Sequence, residues 1–358
     1  MENYPEYYVA DLTKKSEYDD FLGTWDVEEG YIVGVINYDL IWRRKELLEV
    51  KYDTVMLDES SLIKDETAKR TKAIMRMKTN NVILLSGSIC GGKYEQLYSQ
   101  MRLLGWNISK SEWWRRYVVY HLQDYGFGIP FKQVDGYKNT NEMLQEMHEH
   151  GCIFKKTEEV MDLPAQNDIP VHVPVSTAYK KFAKSGVVEI DGEELVGSTS
   201  LTELLYLRQL AGAYSEDKIK AFKDILDSTD DRVIVFYNFN AELTALLGIC
   251  ESLKRPYSIV NGQVKDLQNY KNCCDSVTLV QYQAGAMGLN LQEANKIIYF
   301  SPTLSSDLYE QSRKRIHRIG QERACFYYKL TCGIEKKIYE TLDERKDFTD
   351  ALFRRLKK

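Results

Sequence analysis

The sequence predicts an α/β protein: two stretches built on parallel sheets, joined by a mostly helical middle segment. Three observations carry this. The chain has 358 residues, room for two compact domains of roughly 100–200 residues each. Two stretches repeat one rhythm of short apolar run, loop and amphipathic helix, the pattern of crossover-connected parallel strands. Between them the rhythm lapses, and Gly126, Gly128, Pro130, Gly136, Pro164, Pro170 and Pro174 accumulate.

In the first stretch the apolar runs Tyr31–Ile36, Thr54–Leu57 and Val82–Leu85 read as strands, with helical patterns over Lys64–Met77 and Tyr94–Leu104. In the middle, the acidic, glycine-containing segment Gly186–Gly197 reads as an exposed hairpin or loop. A helix follows with Leu201, Leu204, Leu205 and Leu207 on its apolar side. In the second stretch the strands are Val233–Tyr237, Tyr257–Val260, Val277–Gln281, Lys296–Phe300 and Cys325–Leu330, and helices fall at Ala241–Leu253, Ser305–Ile319 and Ile334–Glu344. The expected division is 1–125, 126–225 and 226–358.

Composition narrows the class. The apolar fraction is 44% and the charged fraction 28%, ordinary for a soluble globular protein. The net charge of −5 excludes a uniformly basic nucleic-acid wrapper. Residues 301–358 nevertheless hold 14 Lys+Arg against 9 Asp+Glu, and a basic end on an acidic body can bind polyanions locally. Seven cysteines form no C-x-x-C pair, which suggests free thiols in a reducing compartment. No apolar run approaches the roughly 18–20 residues of a membrane span, so the expectation is a soluble intracellular protein without a membrane partner. His148-Glu149-His150-Gly151-Cys152 offers metal-type side chains, but tetrahedral zinc needs four ligands at workable spacing. A polar helix end capped by Gly151 is the simpler reading.

Four segments can carry chemistry. Val55-Met56-Leu57-Asp58-Glu59-Ser60-Ser61 is an apolar strand delivering two carboxylates to its C-terminal end, where parallel sheets bind ligands. Such a pair can hold Mg2+ and orient a water, or can be an ordinary solvated pair. Leu84-Leu85-Ser86-Gly87-Ser88-Ile89 is a strand followed by a tight turn. Its continuation, Gly87 to Lys93, matches the first seven positions of a P-loop. The eighth position is Tyr94, which lacks the small hydroxyl that ligates Mg2+, and the order relative to the carboxylates is inverted. Gln283-Ala284-Gly285-Ala286-Met287-Gly288-Leu289-Asn290-Leu291 joins two apolar strands, and its glycines let backbone N–H groups approach a phosphate or sugar. In Tyr309 to Gln321, Gln311, Arg315 and Arg318 are spaced by four and three and are expected to share one helical face. Paired guanidiniums there can clamp a polyphosphate, and a basic solvated helix is the alternative. A fifth cluster, Trp113-Trp114-Arg115-Arg116-Tyr117 with Tyr120, reads as a base-stacking surface or as an amphipathic helix with its rings in the core.

This ordered set resembles the Swi/Snf branch of superfamily-two helicases, in a compact phage or bacterial form, over about residues 30–345. Asn37-Tyr38 looks like the family's NY segment, Asp58-Glu59-Ser60-Ser61 like its DEAH box, and Ser86-Gly87-Ser88 like its T-G-T-P turn. Leu207-Arg208-Gln209 looks like its LRQ. Gln311-x-x-x-Arg315-x-His317-Arg318-Ile319-Gly320-Gln321 is the closest match. The resemblance implies two RecA-like lobes with ATP in the cleft between them and duplex DNA across the top. It implies that Asp58 ligates Mg2+, that Glu59 is the catalytic base and that Arg315 and Arg318 are arginine fingers. Gln311 and Gly288 would contact ATP, and Ser86, Gly87, Ser88, Gly285 and Asn290 would couple the nucleotide to DNA.

The sequence departs from that pattern in one consequential way. No stretch reads G-x-x-x-x-G-K-[ST], so the first lobe is expected to be incomplete and to lack the loop that grips the β- and γ-phosphates. The expected function is therefore an ATP-dependent DNA helicase or translocase, in the cytoplasm of a bacterial cell or phage-infected host. The alternatives are an ATPase-dead DNA-binding remnant, a subunit needing a companion chain that supplies the P-loop, and a kinase-like enzyme using Gly87–Lys93.

Overall fold

A computed structural model of the chain describes residues 7–24, 31–87, 90, 93–123, 131–155, 159, 161–190, 192–285 and 288–344. It forms two compact units that part between Phe154 and Lys155.

In the first unit β1 (Tyr7–Asp11) pairs in parallel with β2 (Tyr31–Val35), and β3 (Lys51–Leu57) in parallel with β4 (Lys78–Leu84). β5 (Val118–Gln123) and β6 (Phe131–Tyr137) make an antiparallel ribbon. Both parallel pairs and the helix Lys15–Thr24 feed one core around Ala10, Leu12, Phe21, Leu47, Leu57 and Ile63. β1 escapes the sequence pattern because Tyr-Tyr-Val-Ala-Asp is short and only Ala10 in it is fully buried. The helix expected over 64–77 contracts to Lys69–Ile74, with a separate 3-10 turn, Ser60–Ile63, before it. Asp65 is the cause: its Oδ1 accepts from both the N–H and the hydroxyl of Thr67, a local turn that competes with helix. Helix Thr140–Glu149 ends as the sequence predicts. Gly151 has φ +81°, its N–H reaches His148 O, and Cys152 N–H reaches Met147 O, the double closure of a Schellman cap. His148 and His150 direct Nδ1 at backbone carbonyls, and no metal-holding group of three occurs among the described residues.

The second unit is built on six strands, all parallel, in the order β11 (Tyr257–Val260), β12 (Val277–Gln281), β10 (Val233–Tyr237), β13 (Lys296–Tyr299), β14 (Cys325–Thr331) and β7 (Gln166–His172). Both faces are covered, which is why these strands are nearly continuous apolar runs. Val233, Val235 and Tyr237 meet helices Glu216–Asp227 and Asn240–Ser252. Ile234 and Phe236 face the core that contains Tyr309 and Tyr339. β8 (Val187–Ile190) and β9 (Glu193–Val196) form the hairpin expected at 186–197.

The compact unit that begins at Lys155 includes β7, which pairs along its length with β14. Two expectations are corrected by the structure. Pro170, read as a loop signal, sits inside β7; that strand is at the sheet edge, where a residue without an N–H breaks no ladder. In helix Ser200–Ala211 the buried positions are Arg208, Leu210 and Ala211, while Leu201 is 76% exposed.

Candidate functional site

In the first unit β3 and β4 carry the candidate residues to their C-terminal ends. Leu57 is buried and Asp58 and Glu59 follow it out of the core. The backbone there is tightly held. Ser60 N–H donates to Leu85 O at 2.8 Å, and Leu85 N–H to Leu57 O at 2.9 Å. Tyr38 O–H donates to the Asp58 carbonyl at 2.6 Å. Glu59 adopts φ +52°, a left-handed conformation uncommon for a residue with a side chain, and its N–H donates to Asp58 Oδ1 at 3.0 Å. Asn37 caps the short helix that presents Tyr38, accepting from Leu40 N–H. Burial first, and then the charges of Asp58 and Glu59, push the Tyr38 phenol up to about 12, so it stays a donor. Ser60 and Ser61 are buried, and Ser60 O–H donates to Gln100 Oε1.

Ser86 is half-buried and Gly87 exposed, directly after β4; Ser88 lies outside the described residues. The P-loop reading of Gly87–Lys93 loses its last position: Tyr94 is 3% exposed, with its ring 4.7 Å from Tyr137. A core side chain stands where a small hydroxyl would be needed.

In the second unit the glycine loop and the arginine segment are brought together. Leu291 N–H donates to Arg315 O at 3.3 Å, and Arg315 Nη1 to Leu289 O at 3.5 Å. Gly285 closes the short helix Tyr282–Gly285. Gly288 has φ +60° with open space where a Cβ would go, so its backbone angle, not crowding, favours glycine. Asn290 is exposed. Gln321 fixes the far end, donating from Nε2 to Gln292 O and Ala294 O.

The single helical face expected for Gln311, Arg315 and Arg318 is not observed. The helix Ser306–Arg313 ends before the two arginines, and turns follow. Leu291 draws the Arg315 carbonyl out of the helical ladder, and Gly320, at φ +91°, completes the exit. Gln311 and Arg315 are half-buried and Arg318 is exposed. Arg313, not singled out by the sequence, is the buried arginine of this segment. It lies 2.6 Å from Asp168 Oδ1, 3.2 Å from Gln166 Oε1 and 3.9 Å from the centre of the Tyr327 ring. Its partners are 145 and 147 residues away, so local spacing held no signal for it.

A family model described as the SNF2-related domain matches residues 7–216, more than half of the chain. The chain belongs to the SNF2-related family. A second model, the helicase conserved C-terminal domain, matches residues 217–320, so the family boundary of this SNF2-related chain falls inside its second compact unit. Similar proteins include the SWI/SNF-related matrix-associated actin-dependent regulator of chromatin subfamily A-like protein 1 of Xenopus laevis. It is 23% identical over 329 residues, covering 83% of this chain and 32% of that protein. The uncharacterized ATP-dependent helicase MG018 of Mycoplasma genitalium is 20% identical over 343 residues, covering 87% and 31%. The SNF2-related chain thus spans about a third of the length of these relatives. Among solved structures, the Sulfolobus solfataricus SWI2/SNF2 ATPase core in complex with dsDNA aligns over 98% of this chain and 82% of that one, at 18% identity and a TM-score of 0.40.

Proposed function

We propose that this chain carries the catalytic and coupling residues of an ATP-dependent translocase acting on duplex DNA. The observation that carries the reading is the Asp58–Glu59 pair at the C-terminal end of β3, with its backbone held by Tyr38 and Leu85. Asp58 is the residue that would hold Mg2+; its carboxylate is exposed and fits a hard cation that keeps most of its water shell. When bound, the ion neutralises phosphate charge. Glu59 would orient the attacking water, and Arg315 and Arg318 would stabilise charge on a transferring phosphoryl group. Gln311 and Gly288 contact the nucleotide, and Ser86, Gly87, Ser88, Gly285 and Asn290 relay its state to DNA. The setting is the cytoplasm of a bacterial or phage-infected cell. ATP turnover with and without duplex DNA, at fixed salt, tests this. Glu59→Gln and Arg318→Ala should each reduce turnover at least a hundredfold, by the usual size of such losses. Turnover unaffected by either change would reject the assignment.

A second reading concerns the phosphate-gripping loop. No stretch of the 358 residues reads G-x-x-x-x-G-K-[ST], and Met56, Ile83 and Leu85 at β3 and β4 are exposed. These support a companion chain that supplies the P-loop and covers those side chains. In that case the isolated chain binds duplex DNA without turnover, and co-purification with a P-loop chain restores it.

A further inference from the structure

The aromatic–arginine cluster singled out in the sequence divides in two. Trp113 and Tyr117 are fully buried, each edge-to-face with Trp106 at 5.1 and 5.8 Å, and belong to the core. Trp114 instead turns outward from helix Lys110–Tyr117 toward the β5–β6 ribbon, where it meets Tyr120 at 5.3 Å with ring planes 81° apart. Lys132 of β6 completes the group, its Nζ 4.6 Å from the Trp114 ring centre and 4.5 Å from that of Tyr120. Leu122, the cross-strand partner of Lys132, is 63% exposed.

The surroundings separate Lys132 from neighbouring cations. Arg116 is paired with Glu142, and Lys110 with Glu66. Lys132 has no carboxylate partner among the described residues and is held by rings alone. Aromatic faces attract a cation without neutralising it, so this ammonium is fixed in place and keeps its full positive charge. Arg115, next to Trp114 and with 77% of its side chain exposed, is likewise paired, 3.7 Å from Glu112, which leaves Lys132, among the described residues, as the cation of this face without a carboxylate. A fixed charge beside exposed aromatic and apolar surface suits a strand whose phosphates and unstacked bases are offered together. Duplex DNA offers phosphates but keeps its base faces stacked.

We propose that the Trp114–Tyr120–Lys132 face of the β5–β6 ribbon binds single-stranded nucleic acid. The assignment goes beyond the duplex-translocase reading and does not depend on it. Lys132 contacts a phosphate, and Tyr120 with Leu122 contacts an adjoining base and sugar.

The test is fluorescence anisotropy of the full 358-residue chain with labelled oligothymidylate and with a blunt duplex of equal length, over a salt series. Tyr120→Ala should weaken single-strand binding roughly 5- to 150-fold, the range for loss of one stacked base. Lys132→Ala should flatten the log–log salt slope by about 0.7, one phosphate contact on a single strand. Tyr120→Phe and Lys132→Arg keep ring and charge and should bind like the unaltered chain, with unchanged circular dichroism confirming the fold. Duplex binding should be unaffected throughout. Absence of single-strand binding by the unaltered chain, or equal affinity in Tyr120→Ala, would overturn the proposal. So would parallel losses on single strand and duplex, which would place the ribbon in a duplex interface. Loss of ATP turnover in Glu59→Gln bears only on the translocase reading.

Discussion

The guanidinium of Arg313 lies 2.6 Å from the carboxylate of Asp168, and through that pair the helix bearing Gln311 is tied to β7. His317 adds a second tie, its Nε2 2.9 Å from Pro164 O. The arginine segment is thereby fastened to the strand that begins the second unit's sheet. Asp168→Asn would leave the guanidinium, whose side chain is 5% exposed, buried without its carboxylate. The expected cost is roughly 1–3 kcal/mol, the penalty for a buried group deprived of its partner, read as a lower urea midpoint. An unchanged midpoint would mean that Gln166 and Tyr327 suffice.

Tyr38→Phe removes the O–H that holds the Asp58 carbonyl and keeps the ring. The lost bond is worth about 1 kcal/mol, so turnover should fall about fivefold if it positions the carboxylates, with ATP affinity nearly unchanged and the thermal midpoint lowered by only a few degrees. A change in affinity alone would show that Tyr38 acts on binding instead.

Glu335 and Lys218 form a fully buried ion pair, Lys218 Nζ lying 2.7 and 2.5 Å from the two carboxylate oxygens. Burial nevertheless raises Glu335 from an ordinary 4.5 to about 7, with Lys218 offsetting part of the effect. The folded chain therefore holds this proton more tightly than the unfolded one. The contribution is whole below about 4.5 and is lost as pH rises toward about 7. Unfolding midpoints over that window should slope downward, and Glu335→Gln should remove this part of the slope while lowering the midpoint at every pH. An identical slope in the variant would refute the assignment.

Gly212 is the site of a close approach. A Cβ there would sit 2.2 Å from Oε1 of Glu242, a fully buried side chain fixed by Asn238 N–H, Phe239 N–H and Ser301 O–H. Gly212→Ala should destabilise the second unit by about 1–3 kcal/mol, as overpacking does. A thermal midpoint equal to that of the unaltered chain would show that Glu242 can move.

The α/β class and most strands were legible because both faces of the second unit's sheet are covered, which forces continuous apolar runs; Val233–Tyr237, Tyr257–Val260 and Val277–Gln281 needed no adjustment. The carboxylate pair was legible because it directly follows the apolar run that makes β3, and the Gly151 cap because its hydrogen bonds close within five residues. β7 was hidden because an edge strand tolerates Pro170. The end of the helix at Arg313 was hidden because Leu291 takes the Arg315 carbonyl from a distance in sequence. Local periodicity and turn chemistry thus determined which elements form and where their candidate residues fall. Tertiary pairing alone decided which arginine is buried, which strand closes the sheet and which of the clustered rings stay in water, because those outcomes depend on partners that the chain brings together only on folding.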